Sequence, residues 1–306
     1  MSHPGAAVNW VTQPLLASWT LDVWVEVPLG LAVVCYVRGW LRLHRRAPQR
    51  FGAGRLAAFC GGMVAIGAAL ESPLHALGAQ LLQAHMAQHL LLMMVAPPLL
   101  WLGAPLLPML SGLPKLLRRR WVGRRFGWPG LSRSCRWLVR PPAAWIVFVG
   151  STWVWHTPAL YERALASDFW HYTQHACFLT TALAFWWPVV QPWPSRPGVP
   201  PWTIVLYLIL ADLQNTVLSA WLIFAERIIY PSYEAIPHPW GISALNDQAA
   251  AGEIMWVPGS LAFLIPIAWV VSQMLSPTGP QIVTLGHQRV VKRGLGFGST
   301  HSGEER

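Results

Sequence analysis

The sequence predicts an all-α integral membrane protein of seven transmembrane helices, with its N-terminus outside and its C-terminus in the cytoplasm. Three observations carry that expectation. The 306 residues are 54% hydrophobic and only 11% charged, which excludes a disordered chain and is unusual for a water-soluble globule. Apolar stretches of about 20 residues, the length that crosses roughly 30 Å of hydrocarbon as a helix, recur along the chain. All but two of the 22 Lys and Arg fall on one side of those stretches, the asymmetry that sets orientation by the positive-inside rule.

The stretches run at about 20–41, 55–74, 81–101, 141–157, 169–190, 202–226 and 249–275. Helices are favoured because lipid supplies no partners to backbone groups, and no alternating barrel pattern is visible. The first loop holds Arg42, Arg45, Arg46, Arg50 and Arg55, and Arg38 precedes it. The third holds Lys115, Arg118, Arg119, Arg120, Arg124, Arg125, Arg133, Arg136 and Arg140; the fifth holds Arg196; the tail holds Arg289, Lys292, Arg293 and Arg306. Only Arg163 and Arg227 lie opposite. Nine acidic residues lie there too: Asp22, Glu26, Glu71, Glu162, Asp168, Glu226, Glu234, Asp247 and Glu253. The outer face is therefore acidic and favours arriving cations. The net charge of +10 reads as a topology signal with attraction to membrane lipid, and no nucleic-acid partner is expected.

Many of the 20 Trp sit at segment ends, where an apolar ring with one N–H suits the headgroup depth. The four Cys, Cys35, Cys60, Cys135 and Cys177, form no CxxC, and a disulfide framework is not expected. No Lys or Arg precedes the first apolar stretch, so it is expected to act as its own insertion signal. This gives an outer segment over 1–19, one membrane domain over 20–275 without an evident inverted repeat, and a basic, disordered cytoplasmic tail over 276–306.

Six histidines, His75, His85, His89, His156, His171 and His175, fall on the ends of four apolar segments and, in this topology, toward the same outer face. His85/His89 and His171/His175 are spaced i,i+4, one turn apart on a helix face. Imidazole is costly in lipid unless paired or coordinated, so such residues mark function. Met93 continues the His85–His89 stripe, with Met86 and Met94 beside it. Imidazole and thioether together suit copper better than hard ions. The candidate metal ligands are His85, Met86, His89, His156, His171 and His175, with Met93, Met255, His75 and Asp247 as accessory candidates. The plainer account of a single such Met or His is a helix contact, and of His75 and His156 an interfacial residue meeting water. Asp168 is a candidate cap for the fifth helix, Asp247 for the seventh, and Gly252 permits close helix approach. Pro97-Pro98 should kink the third segment. Asp212, mid-segment in the sixth, reads either as a polar clasp or as a proton carrier.

Several of these residues resemble the multi-spanning CtaG family. They are His85-Met86-Ala87-Gln88-His89-Leu90-Leu91-Leu92-Met93, Ala96-Pro97-Pro98-Leu99, Gly103-Ala104-Pro105, Trp155-His156-Thr157-Pro158-Ala159-Leu160-Tyr161, His171 with His175, Phe185-Trp186-Trp187-Pro188, and Asp247-Gln248 with Gly252 and Met255-Trp256. The resemblance covers about 20–275. It implies a non-enzymatic factor for assembling haem–copper cytochrome c oxidase in the bacterial inner membrane. Copper would be its cargo, and an oxidase subunit or a copper chaperone its partner. A membrane cytochrome with His-ligated haem and a metal- or proton-coupled transporter are the alternatives. A di-iron oxidase fits less well, since such enzymes use adjacent His-His pairs on the cytoplasmic side and this chain has none.

The basic asymmetry has a direct check. Reporter fusions at Pro48, Arg125 and Val290 are expected to report a cytoplasmic location, and fusions at Leu160 and Trp240 an external one. An external Arg125 would place the histidines on the cytoplasmic side.

Overall fold

The computed structural model describes residues 19–115, 137–195, 198–236 and 239–276, and among these the chain is helical with no strand. Helix α1 is Val23–Arg46, α2 Ala53–Glu71, α3 Pro73–Gly78, α4 Leu82–Leu102, α5 Leu106–Gly112, α6 Pro141–Trp155 and α7 Pro158–Ala166. Helix α8 is Asp168–Val190, α9 Pro201–Ile223, α10 Pro231–Glu234 and α11 Ala244–Leu275. A long helix stands at each of the seven apolar stretches. Five of them, α1, α2, α4, α9 and α11, are long and apolar enough to cross a membrane. Helix α6 has 15 residues, about 22 Å of rise. Helix α8 has 23, with Asp168, His171, Gln174 and His175 in its first two turns. Outside the described residues lie Arg118, Arg119, Arg120, Arg124, Arg125, Arg133, Arg136, Arg196, Cys135, almost all of the 1–19 segment, and the tail with Arg289, Lys292, Arg293 and Arg306.

Local chemistry sets the helix ends. Asp22 caps α1 by accepting from Trp24 N at 2.9 Å; Glu26 lies in its first turn and His44, Arg45 and Arg46 in its last, each sign complementing the helix dipole. Ser243 caps α11, so that helix begins five residues before the apolar stretch does. Asp247, expected to cap α11, instead caps a different helix. Its carboxylate accepts from Leu82 N at 2.6 Å and Gln83 N at 3.1 Å, the orphan donors at the start of α4. Ser167, not Asp168, occupies the cap position of α8.

Helix α4 is the axis of the bundle. It packs against α2, α3, α8 and α11, and 56% of its most apolar window is buried, against 17% for α1 at the periphery. Pro97 and Pro98 do more than kink it. Neither carries an N–H, and the backbone winds into a π-helical turn over Leu91–Val95 before resuming as Ala96–Leu102. The Met93 carbonyl thus loses both helical donors that could reach it. The Trp186 indole of α8 supplies the missing one, donating to Met93 O at 2.8 Å.

Lipid tails are as apolar as leucine, so packing and interhelical hydrogen bonds hold such a bundle together. Tyr36 O–H of α1 donates to Gly103 O at 2.7 Å, Trp101 Nε1 of α4 to Leu183 O at 2.8 Å, and Tyr207 O–H of α9 to Phe185 O at 2.9 Å. Two glycine contacts bring backbones together. A Cβ on Gly39 would strike the Pro108 carbonyl and one on Gly112 the Cys35 carbonyl, so α1 and α5 cross at touching distance. A Cβ on Gly252 would lie 2.6 Å from Ile223 Cγ1 and 3.0 Å from Ser219 O, the close α9–α11 approach that its position in the sequence allows. Cys35, Cys60 and Cys177 are free thiols.

Trp186→Phe keeps an aromatic ring but removes the N–H and the five-membered part of the indole, stranding the Met93 carbonyl and leaving a small void. It is expected to cost about 1 kcal/mol and lower the thermal unfolding midpoint in detergent. Trp256→Phe, at a surface residue, should leave it unchanged. An unaltered midpoint for Trp186→Phe would mean that another donor serves the carbonyl.

Candidate metal centre

The i,i+4 spacing places His85 and His89 on one face of α4, and His171 and His175 on one face of α8. The packing of α8 against α4 brings the two faces together. One nitrogen each from His85, His89 and His175 lies within 4.8 Å of the others, and all three residues are buried. The His171 and His175 Nε2 atoms are 3.1 Å apart, and the ring centroids of His85 and His171 5.2 Å. His75 extends the cluster outward from α3, its ring 5.5 Å from that of His171.

Both ring nitrogens of His85, both of His89, and Nδ1 of His175 have no hydrogen-bond partner among the described residues. A buried polar atom left so costs about 1–3 kcal/mol. Two nitrogens bound to one ion at about 2.0–2.1 Å stand at most about 4.2 Å apart. In a tetrahedral arrangement the nitrogens stand about 3.3–3.4 Å apart, so a pair at the 4.8 Å limit would close by about 1.4 Å through side-chain rotation. The residues fit a nitrogen-ligated ion.

His156 is the C-cap of α6, which ends there with Pro158 opening α7. Its Nδ1 lies 2.7 Å from Thr152 O. Since a carbonyl only accepts, Nδ1 carries the proton and Nε2 keeps its lone pair. His156 is fully enclosed, not an interfacial residue meeting water, and its ring is 6.1 Å from that of His89. Met86, Met93 and Met255 stand together beside the triad. They border a cavity of about 30 Å³ on its inner side, with His89 and His156. Asp247 is engaged at the start of α4. The Asp212 Oδ1 has no partner among the described residues, and the residue does not border the cavity.

The His75 side of the cluster is polar. Asp22 accepts from Tyr172 O–H at 2.7 Å and from Trp24 N, which together hold its carboxyl below the usual range. Glu71 accepts from Asp22 N at 2.9 Å, tying the segment before α1 to the end of α2. Burial lowers the affinity of His75 for a proton, against the opposing pull of Asp168 and Asp22. The neutral, ligating form of His75 is thereby favoured.

Sequence reasoning missed the supports of this cluster. The Gln88 amide donates to Ala69 O at 2.7 Å and stands 3.2 Å from His75 Nδ1. Tyr161 stacks on Tyr230 at 4.0 Å and lies 5.2 Å from His85. The Tyr230 phenol donates to His156 O and that of Tyr233 to Gly78 O, both at 2.9 Å. Burial pushes all three phenols far above their ordinary range, so they stay donors. Gln88 and Tyr161 lie inside the motifs quoted above, but no spacing rule gives them a role.

The chain matches a family model described as cytochrome c oxidase caa3 assembly factor over residues 34–276. It is 26% identical over 273 residues to uncharacterised proteins of Mycobacterium tuberculosis and Mycobacterium bovis, covering 85% of this chain and 40% of each of them. An uncharacterised protein of Mycobacterium leprae is 27% identical over 261 residues, covering 83% of this chain and 39% of that protein. The chain thus spans about two fifths of the length of the curated relatives it matches. No solved structure matches it. The chain belongs to the cytochrome c oxidase caa3 assembly factor family.

The triad predicts a ranking of variants. Purified protein exposed to copper is expected to hold about one or two ions, and His85→Ala or His89→Ala to lower that content severalfold. His44→Ala, at a residue bonded to Phe51 O far from the cluster, should not. Equal copper in all three variants would remove α4 from the site.

Proposed function

We propose that this member of the caa3 assembly-factor family spans the bacterial inner membrane seven times. Its histidine cluster would lie at the outer face, take up copper as cargo, and pass it to a cytochrome c oxidase subunit or to another copper chaperone. The observation that carries this reading is the triad of His85, His89 and His175, three buried imidazoles whose nitrogens converge and five of whose six ring nitrogens have no hydrogen-bond partner among the described residues. Family membership supplies the oxidase as the destination. The basic asymmetry of the sequence supplies the side of the membrane.

Imidazole ligands suit the task because an ion can leave them one at a time. His171 and His75 are only half buried, and each stands one ring contact from the next. An incoming ion meets Asp22, Asp168 and His75 at the surface, then His171, then the triad. Release retraces the same steps when a partner offers stronger ligands. Nothing in this sequence of exchanges makes or breaks a covalent bond of a substrate, in keeping with a non-catalytic factor. A haem reading is less well supported: the imidazoles pack ring to ring at 4.3–6.1 Å, and the adjoining cavity of about 30 Å³ has room for a water or an ion, not a macrocycle.

Deletion of the gene is expected to leave oxidase polypeptides made but poor in copper, with low terminal-oxidase activity. His171→Ala and His175→Ala should reproduce that loss while the protein still accumulates in the membrane. Added copper should restore part of the activity by mass action. Oxidase copper, oxidase haem and the level of this protein are measured in the same membranes. Full copper occupancy without the protein would refute delivery, and full copper with missing haem would favour a haem-handling role.

A further inference from the structure

Four of the chain's eight methionines, Met86, Met93, Met94 and Met255, border one cavity of about 30 Å³. It lies on the inner side of the histidine triad, between α4, α6, α9 and α11. Methionine is a common filler of irregular cores, and thioethers alone would carry no more than that. The imidazoles on the wall add a second observation. His156 is 2% exposed, borders the cavity, and has no partner for Nε2 among the described residues. Its Nδ1–H is committed to Thr152 O, the hydrogen bond that fixes the tautomer of metal-ligating histidines and leaves Nε2 as the ligand atom. His89, 3% exposed, also borders the cavity, with neither nitrogen satisfied.

We propose that this cavity is a second metal site, distinct from the triad and selective for a soft monovalent ion, Cu(I), held by His156 Nε2 and the methionine thioethers. Its biological meaning rests on the copper reading of the triad, but its chemistry does not. Thioether sulfur is uncharged and polarisable, so it binds Cu(I) or Ag(I) and discriminates against Zn(II), which the all-nitrogen triad accepts. A volume of about 30 Å³ exceeds the roughly 10–15 Å³ that one water-sized occupant requires. His89 stands between the two sites, its ring 5.5 Å from His175 and 6.1 Å from His156. An ion can therefore move inward by exchanging one ligand at a time through His89, remaining Cu(I) throughout. The triad would collect metal, and the thioether site would retain only the monovalent copper.

The test uses the full chain purified in mild detergent and loaded anaerobically with Cu(I), with X-ray absorption at the copper edge as the readout. Mixed nitrogen and sulfur coordination is expected in the unaltered protein. Met93→Leu/Met255→Leu, which keeps side-chain volume, should lose most of the sulfur scattering and about one Cu(I) or Ag(I) per chain. Its Zn(II) binding should stay as in the parent, which also verifies the fold. Nitrogen-only coordination of Cu(I) in the unaltered protein would overturn the second site while leaving the triad intact, and it requires no variant to have folded. Sulfur scattering undiminished in the double variant would overturn it equally. Absence of both Cu(I) and Zn(II) binding would overturn the triad together with it.

Discussion

Unsatisfied imidazole in an apolar interior is the constraint around which this protein is organised. A bilayer offers no water to a ring nitrogen, and each buried polar atom left unpaired costs on the order of 1–3 kcal/mol. His85 and His89 together leave four such atoms without a hydrogen-bond partner among the described residues. Some backbone groups elsewhere in the bundle do find side-chain partners. The carbonyl stranded by Pro97 and Pro98 finds Trp186, and the open N–H groups at the start of α4 find Asp247. What sets the histidines apart is that their nitrogens converge, and the proposed metal site rests on that convergence.

The rest of the architecture serves that placement. Asp247 of α11 fixes the start of α4 just before His85, and the π-helical turn ends the histidine stripe where Met93 and Met94 face the inner cavity. Gln88, on the same helix, ties down α2 through Ala69 O and meets His75 of α3. A Cβ on Gly78 would collide with the Gln88 amide, so the outermost histidine owes its position partly to a missing side chain. Tyr161, Tyr230 and Tyr233 close the cluster with donors that burial keeps protonated. The gradient from acidic surface through imidazole to thioether runs from hard ligands to soft, an order suited to receiving a hydrated cation and binding it progressively more selectively.

Much of this was legible in the sequence. Helix positions followed from apolar length, since lipid forces each segment to satisfy its own backbone, and a long helix stands at every expected stretch. The pairs His85/His89 and His171/His175 were legible because the helical period alone puts each pair on one face. What periodicity could not supply was which faces meet. Asp247 looked like a metal accessory or a cap for its own helix, and caps another 165 residues away in sequence. His156 read either as a metal ligand or as an interfacial residue meeting water, and it is enclosed, its ring against those of His89, Tyr161 and Phe178. The methionines looked like members of a single site with the histidines, and Met86, Met93, Met94 and Met255 border one cavity with His89 and His156. Each of these placements is a tertiary contact, for which local spacing carries no signal.

The central claim is that the converging imidazoles hold copper. Metal analysis of the protein purified in mild detergent, together with its visible absorption spectrum, tests it most directly. The account predicts copper bound at about one or two ions per chain, with no Soret band. A Soret band, or a preparation that takes up no copper, would contradict it.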